Sequence, residues 1–306
     1  MNPAQAGRSY SNYGLAGAYA PAASLVRNFG TTVALTIGMG LIQQQLKLMK
    51  NDVSTYTNEE QLLLLGRLLS ENSIEVVYEP IFRLPGQEVF GYEALARFPG
   101  NNSGVFSSIE ALLAFAEETA MVFDLDLLCW KNALRLSSSR FQSDIGDKQK
   151  LFINISTGSL QGRSFSINEL VKSTNQAGFK PEEIVVEVTE RVRVSSLRIF
   201  RESIAHLRSH GFSVALDDLG AGYNSLSLVA KLRPEYLKLD SSIIRDIQMD
   251  TLRSSIAHAV LLIGNDSGAK VIAKGIETKE ELKALCDLGI AFGQGRVFDL
   301  QGENEK

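Results

Sequence analysis

Residues 213–226 read SVALDDLGAGYNSL. The run Ser213 to Asp217 is strand-like and apolar until it meets Asp217 and its neighbour Asp218, after which Gly220 and Gly222 loosen the chain. Asp favours turns, so the pair could simply open the loop. Adjacent carboxylates nevertheless repel unless a cation lies close by, which points to chemistry at the strand's end. The same pattern recurs on both sides of this stretch. Strand-like runs occupy Glu75 to Phe82, Val89 to Ala96, Leu151 to Ser156, Ile184 to Thr189, Glu235 to Leu239 and Lys270 to Ala273. Helical periodicity marks Ile109 to Thr119, Leu197 to Ser209 and Lys279 to Asp287. This rhythm predicts an α/β fold, either a parallel barrel or a doubly wound sheet. Polar residues interrupt the strands late: Glu93, Asn154, Glu187, Asp217, Lys238 and Lys274. A doubly wound sheet places its ligand at one switch point, often beside a glycine-rich turn. The sequence has no GxGxxG or Walker motif. Polar groups spread over many strands suit a closed ring, whose strand ends converge on one face.

With 306 residues, 44% hydrophobic and 22% charged, the chain can close one large core, and an α/β barrel of about 250 residues fits within it. A net charge of -4 argues against general attraction to a DNA or RNA duplex or to an anionic membrane, so a polyanionic ligand needs a locally built site. Cys129 and Cys286 show no CxxC or metal spacing, so no disulfide scaffold is expected and a reduced, cytoplasmic setting is the default. Residues 1–56 form an N-terminal extension. Met1 to Ala23 reads as a flexible lead-in. Phe29 to Ile42 is apolar but shorter than the roughly 20 residues that span a bilayer, which favours an oligomerisation, packing or partner-binding segment over the membrane. No basic n-region opens the chain, so a signal peptide is not expected. At Thr57 or Asn58 a helix is capped, with Glu59 and Glu60 in its first turn. The expected domain runs over 57–302, followed by a tail at 303–306.

The strings YEPI (Tyr78 to Ile81), GYEALAR (Gly91 to Arg97), NIS (Asn154 to Ser156), EVTE (Glu187 to Glu190) and DDLGAGYNSL (Asp217 to Leu226) are followed by KLD (Lys238 to Asp240), KGIET (Lys274 to Thr278) and GQG (Gly293 to Gly295). In this order and at these spacings they resemble the EAL phosphodiesterase family over about residues 70 to 300. The resemblance implies a TIM-barrel variant, (β/α)8 with an antiparallel first strand. It also implies Mg²⁺ or Mn²⁺ dependence, hydrolysis of cyclic di-GMP to linear pGpG, and a homodimer. Glu93, Asn154, Glu187 and Asp217 match the family's first metal site. Asp217 also matches the bridge to a second ion, and Asp218 a ligand of that ion. Lys238 matches a residue that orients water or balances the carboxylates, and Glu190 one that steadies the loop from Asp217 to Tyr223. Glu79, Leu95, Arg97, Asp240 and Gln294 fall at ligand-binding positions. The chemistry is coherent without the name, because a phosphodiester repels hydroxide and its hydrolysis requires cations, and hard cations require oxygen ligands.

Three departures from the family pattern set expectations of their own. Lys274 stands where the family's AEGVE-like motif has a metal-binding glutamate, Glu79 replaces a glutamine, and Arg296 to Asp299 alter the closing segment. A protonated lysine cannot ligate a cation. On this reading the metal motif is degenerate: one ion is expected, the second site is impaired, and the chain binds cyclic di-GMP with weak or no hydrolysis. An active phosphodiesterase and a protein-interaction module without nucleotide are the alternatives.

Overall fold

The computed structural model describes residues 57–86, 88–97, 105–141, 149–162, 164–189, 196–221 and 225–299. The expected lead-in, the tail and Glu190 lie outside the described residues. The described residues fall into two compact units, 57–70 with 105–122 and 71–97 with 123–299.

In the first unit, helix α1 (Asn58–Glu71) opens on a capping box. Thr57 Oγ1 accepts from the Glu60 amide at 3.3 Å while the Glu60 carboxylate accepts from the Thr57 amide at 2.9 Å. Helix α2 (Ile109–Glu118) is capped by Ser108, whose hydroxyl accepts from the Ala111 amide. Phe106 and Phe115 pack with ring centroids 5.6 Å apart.

The second unit holds the barrel. Its strands are β1 (Glu75–Arg83), β2 (Glu88–Arg97), β3 (Lys150–Asn154), β4 (Ile184–Thr189), β5 (Ser213–Leu219), β6 (Tyr236–Leu239), β7 (Lys270–Ala273) and β8 (Phe292–Gly293), closed in chain order. β1 runs antiparallel to both neighbours and every other pair is parallel. The expected (β/α)8 barrel with an antiparallel first strand is therefore the observed fold.

Strand alternation explains the barrel's interior. Ile81, Phe90, Phe152, Val185, Ala215, Tyr236, Ile272 and Phe292 form one buried cluster. Because side chains on one face of a strand recur every second residue, the next inward positions are Glu79, Asn154, Glu187, Asp217, Lys238, Lys274 and Gln294. Each lies two residues from a floor residue. On β2 the step from Phe90 to Glu93 is three residues. A bulge supplies the extra one: Ile81 pairs with Gly91 and Phe82 with Val89, which leaves Phe90 unpaired. The polar layer thus rests on an apolar floor at the C-terminal mouth of the parallel strands, where barrels carry their chemistry. Below the floor, Arg83 and Lys270 cover its rings, at 4.9 Å and 5.2 Å from the Phe90 centroid.

Helices α3 (Val122–Phe141), α4 (Thr157–Gln161), α5 (Ile167–Gln176), α6 (Leu197–Ser209), α7 (Ser225–Leu232), α8 (Ser241–Ile244), α9 (Thr251–Ser267) and α10 (Lys279–Leu288) follow the strands. Trp130, Phe200, Ile204, Leu207 and Leu285 are among their buried residues. No helix of the described residues is long and apolar enough to cross a membrane. Thr278 caps α10 in a second capping box with Glu281. Thr278→Ala is expected to cost about 1 kcal/mol, read as a lower midpoint in urea unfolding.

Candidate metal centre

Four strands deliver the centre of the site. Lys238, fully buried on β6, donates to Glu93 Oε2 of β2 at 2.7 Å and to Glu187 Oε1 of β4 at 2.5 Å. Gln294, just past β8, donates from Nε2 to the same Glu93 oxygen at 2.7 Å. Its place depends on Gly295, whose φ of 147° lets the chain run against Ile276; a Cβ there would lie 2.3 Å from the Ile276 backbone. Lys274, just past β7, donates to both oxygens of Asp217 at 2.7 and 2.8 Å and to Asp218 Oδ1 at 3.0 Å.

Neighbouring strand residues ordinarily face opposite sides. Asp217 and Asp218 reach one ammonium group because the register of β5 and β6 shifts between Leu216 and Leu219 and Asp218 sits at φ 56°. This left-handed conformation is one that Asp tolerates better than most residues. The sequence reading that treated the pair as a turn or as cation ligands thus met both features at once: a local distortion, and carboxylates gathered around a cation.

One oxygen from each of Glu93, Glu187 and Asp217 lies within 4.8 Å of the others. All three residues are buried, at 2%, 0% and 5% exposure. Burial alone would raise the Glu93 carboxyl, but the Lys238 and Lys274 charges and the bonds from Lys238 and Gln294 outweigh it and hold it at about 2. Burial, reinforced by Glu93 and Asp217, pushes Glu187 well above the ordinary glutamate value in spite of Lys238. Burial would strip the proton from Lys238, yet Glu187, Glu93 and Asp217 raise its affinity for it. Burial and Lys238 likewise oppose the charge on Lys274, and Asp217, Glu93 and Asp218 overcome them. Burial and Glu93 raise Glu79, which faces Glu93 across the β1–β2 pair.

These residues fit a divalent cation. The four carboxyl groups of Glu93, Glu187, Asp217 and Asp218 outnumber the Lys238 and Lys274 ammonium groups by two. Among the described residues Glu187 Oε2 is buried without a hydrogen-bond partner, a costly state that an ion would relieve. Oxygen donors of this kind are what Mg²⁺ and Mn²⁺ require.

The expectation of a degenerate metal motif, with one ion, an impaired site and weak or no hydrolysis, is corrected by this triad. Glu93, Glu187 and Asp217 come from β2, β4 and β5, and a lysine after β7 removes none of their oxygens. The expectation rested on Lys274, a protonated lysine at the place of a metal-binding glutamate. Its charge is already met by Asp217 and Asp218.

The remaining residues are placed as follows. Asn154 ends β3 in register with Glu187 and is exposed at the mouth. Arg97 is exposed at the end of β2, and strand alternation sets it on the face of Glu93 and Leu95. Asp240 is buried and caps α8, accepting from the Ser242 amide at 2.9 Å. Two residues escaped the sequence reading. Glu281 accepts from the amides of Asp246, Glu277 and Thr278, tying the segment after β6 to the segment after β7. Asp126 is a buried carboxylate on α3. Its helical spacing from Trp130, Ala133 and Ser137, all buried, was the available signal.

The family model described as EAL domain matches residues 64–300. An uncharacterised Mycobacterium tuberculosis protein is 26% identical over 250 residues, covering 82% of this chain and 38% of that protein. The cyclic di-GMP phosphodiesterase NbdA of Pseudomonas aeruginosa is 29% identical over 235 residues, covering 76% of this chain and 30% of NbdA. The chain thus spans only about a third of the length of these relatives. Among solved structures, the manganese and cyclic di-GMP complex of BlrP1 from Klebsiella pneumoniae matches with a TM-score of 0.62 and 29% identity, over 73% of this chain and 54% of that one.

Proposed function

The chain belongs to the EAL domain family, and on that premise we propose that it binds cyclic di-GMP and hydrolyses it to linear pGpG. A divalent ion would be held by Glu93, Asn154, Glu187 and Asp217. The observation that carries this reading is the buried triad of Glu93, Glu187 and Asp217, with one Glu187 oxygen left without a partner. The names of NbdA and of the BlrP1 complex support the choice of ligand.

In the proposed reaction, water adds to one phosphorus and the bond to the 3′ oxygen breaks. The water leaves a 5′ phosphate monoester, and the 3′ oxygen takes up a proton. A bound Mg²⁺ or Mn²⁺ supplies Lewis-acid stabilisation of the phosphoryl charge and acidifies water. The chain's own groups prepare that centre. Lys238 fixes Glu93 and Glu187 in a dry layer, so neither carboxylate has to reorganise. Gln294 fixes the orientation of Glu93 from the other side. Lys274, its side chain 20% exposed, spends its three donors on Asp217 and Asp218 and supplies positive charge near the phosphate rather than a direct bond to it. Arg97 at the rim offers a planar donor pair to a second phosphate. Glu79 stands beside Glu93 at the edge of the same layer and limits which base or phosphate edge can approach it.

Hydrolysis in Mn²⁺ that disappears with chelator and returns on adding Mn²⁺ is the expected result. No product under any divalent ion, from folded protein that binds cyclic di-GMP, would overturn the catalytic reading. Arg97→Ala is expected to weaken cyclic di-GMP binding by about 1.5 to 3 kcal/mol, measured by calorimetry in Ca²⁺. Leu226, 57% exposed on α7 directly after the carboxylate loop, supports pairing of two copies through that helix, which light scattering would read as twice the chain mass.

A further inference from the structure

We infer that Asp126 is a positioning residue for the metal centre, acting through Asn154. The inference rests on the reading above of Asn154 as a metal ligand. Asp126 lies on α3, outside the barrel strands, and is 6% exposed. Its Oδ2 accepts from the Ser156 amide at 2.9 Å, from the Ser156 hydroxyl at 2.7 Å and from the Ser159 hydroxyl at 2.5 Å. Ser156 is in turn the cap of α4, its hydroxyl accepting from the Ser159 amide at 3.1 Å.

The consequence falls on Asn154. Of the triad's neighbours it is the exposed one, at the last position of β3, where strand pairing ends. Two anchors flank it on its C-terminal side. The Ile155 amide donates to the Glu187 carbonyl at 3.0 Å, which ties the chain to β4. The Ser156 amide and hydroxyl are held by Asp126. Between them, these bonds determine where the chain turns from strand to helix, and hence where the Asn154 amide stands relative to Glu187. A buried carboxylate used only to cap α4 would be an expensive choice, since Ser156 already caps that helix. Three bonds into one carboxylate oxygen instead make the turn rigid.

The test is a Mn²⁺ titration of the full chain by calorimetry, with a double-mutant cycle. Asp126→Ala is expected to raise the Mn²⁺ dissociation constant about 10- to 100-fold, as loss of outer-shell support does at metal sites. Asn154→Ala should weaken binding at least as much, and Asp126→Ala added to Asn154→Ala should weaken it no further. Asp250→Ala serves as the control, since Asp250 caps α9 by accepting from the Leu252 and Arg253 amides. It should lower the melting temperature and leave Mn²⁺ affinity unchanged. If Asp126→Ala does not fold, Asp126→Asn and Ser156→Ala carry the same prediction with smaller shifts. Unchanged affinity in the folded Asp126 variants overturns the inference, and so does full additivity in the cycle. If Asn154→Ala alone leaves Mn²⁺ affinity intact, the ligand assignment fails and the inference falls with it. Loss of hydrolysis in the parent, with Mn²⁺ binding and the cycle as expected, would leave the positioning role standing and remove only the catalytic reading.

Discussion

Glu187→Gln is expected to abolish Mn²⁺-dependent hydrolysis, by at least about a thousandfold, while leaving the fold as stable as the parent. The loss follows from the position of the residue. Glu187 is fully buried, belongs to the triad, and holds the oxygen without a hydrogen-bond partner. Removing its charge withdraws several kcal/mol of cation binding, and about 4 kcal/mol corresponds to a thousandfold in rate. Stability should survive because the parent carboxyl is already strained. Burial, Glu93 and Asp217 push it well above its ordinary value, so its ionised form works against folding near neutral pH. Glutamine keeps the shape, and its oxygen can still accept from Lys238. The measurements are Mn²⁺ affinity, turnover of cyclic di-GMP and urea unfolding on the same preparation. A variant that retains Mn²⁺ affinity and turnover would remove Glu187 from the metal centre.

Lys238→Met is expected to be the most damaging single change to the fold of the barrel's polar layer, at about 3 to 5 kcal/mol, because it strands two buried carboxylates that share one cation. The pH dependence supplies a second signature. In the parent, Glu93 is held at about 2 against an ordinary 4.5. Its contribution to stability is therefore complete above 4.5 and is lost as pH falls toward 2. Without Lys238, Glu187, already raised in the parent, loses the charge that opposed its burial, and Glu93 keeps only Lys274 and Gln294 against burial, so the folded state retains protons that the unfolded chain releases. The variant's stability should then fall as pH rises from 5 to 8. Mn²⁺ should recover part of it by replacing the missing positive charge, in proportion to its affinity. Urea unfolding across that range, with and without Mn²⁺, reads both effects. A flat profile with parental stability would show that Lys238 does not bear the carboxylate charge.

Much of this site is visible in the chain itself. The strands Ile184–Thr189 and Lys270–Ala273 and the helix Leu197–Ser209 coincide with their expected bounds, because period-two and period-3.6 patterns of burial are local properties. The late polar positions Glu93, Glu187, Asp217, Lys238 and Lys274 were legible for the same reason. An apolar strand interrupted near its end by charge has few structural explanations other than a site at that end. β8 was missed because two residues, Phe292 and Gly293, carry no readable period. The altered closing segment still delivers Gln294 to Glu93.

The sequence by itself determined the barrel, its polar layer and the family, since each depends on patterns within single strands and on their order. Only the tertiary structure decided which charges meet. Lys238 lies 145 residues from Glu93 and 51 from Glu187, and no local pattern says that one ammonium serves both. Lys274 reads, in isolation, as a cation set against a metal. With Asp217 and Asp218 folded around it through a register shift and one left-handed residue, it is a charge already answered, and the triad beside it is whole. Asp126 is likewise silent in its own helix and acquires its role only where that helix meets Ser156 and Ser159. The physical reason is common to all three: electrostatic energy depends on distance and burial, and in a closed barrel both are fixed by strands far apart along the chain.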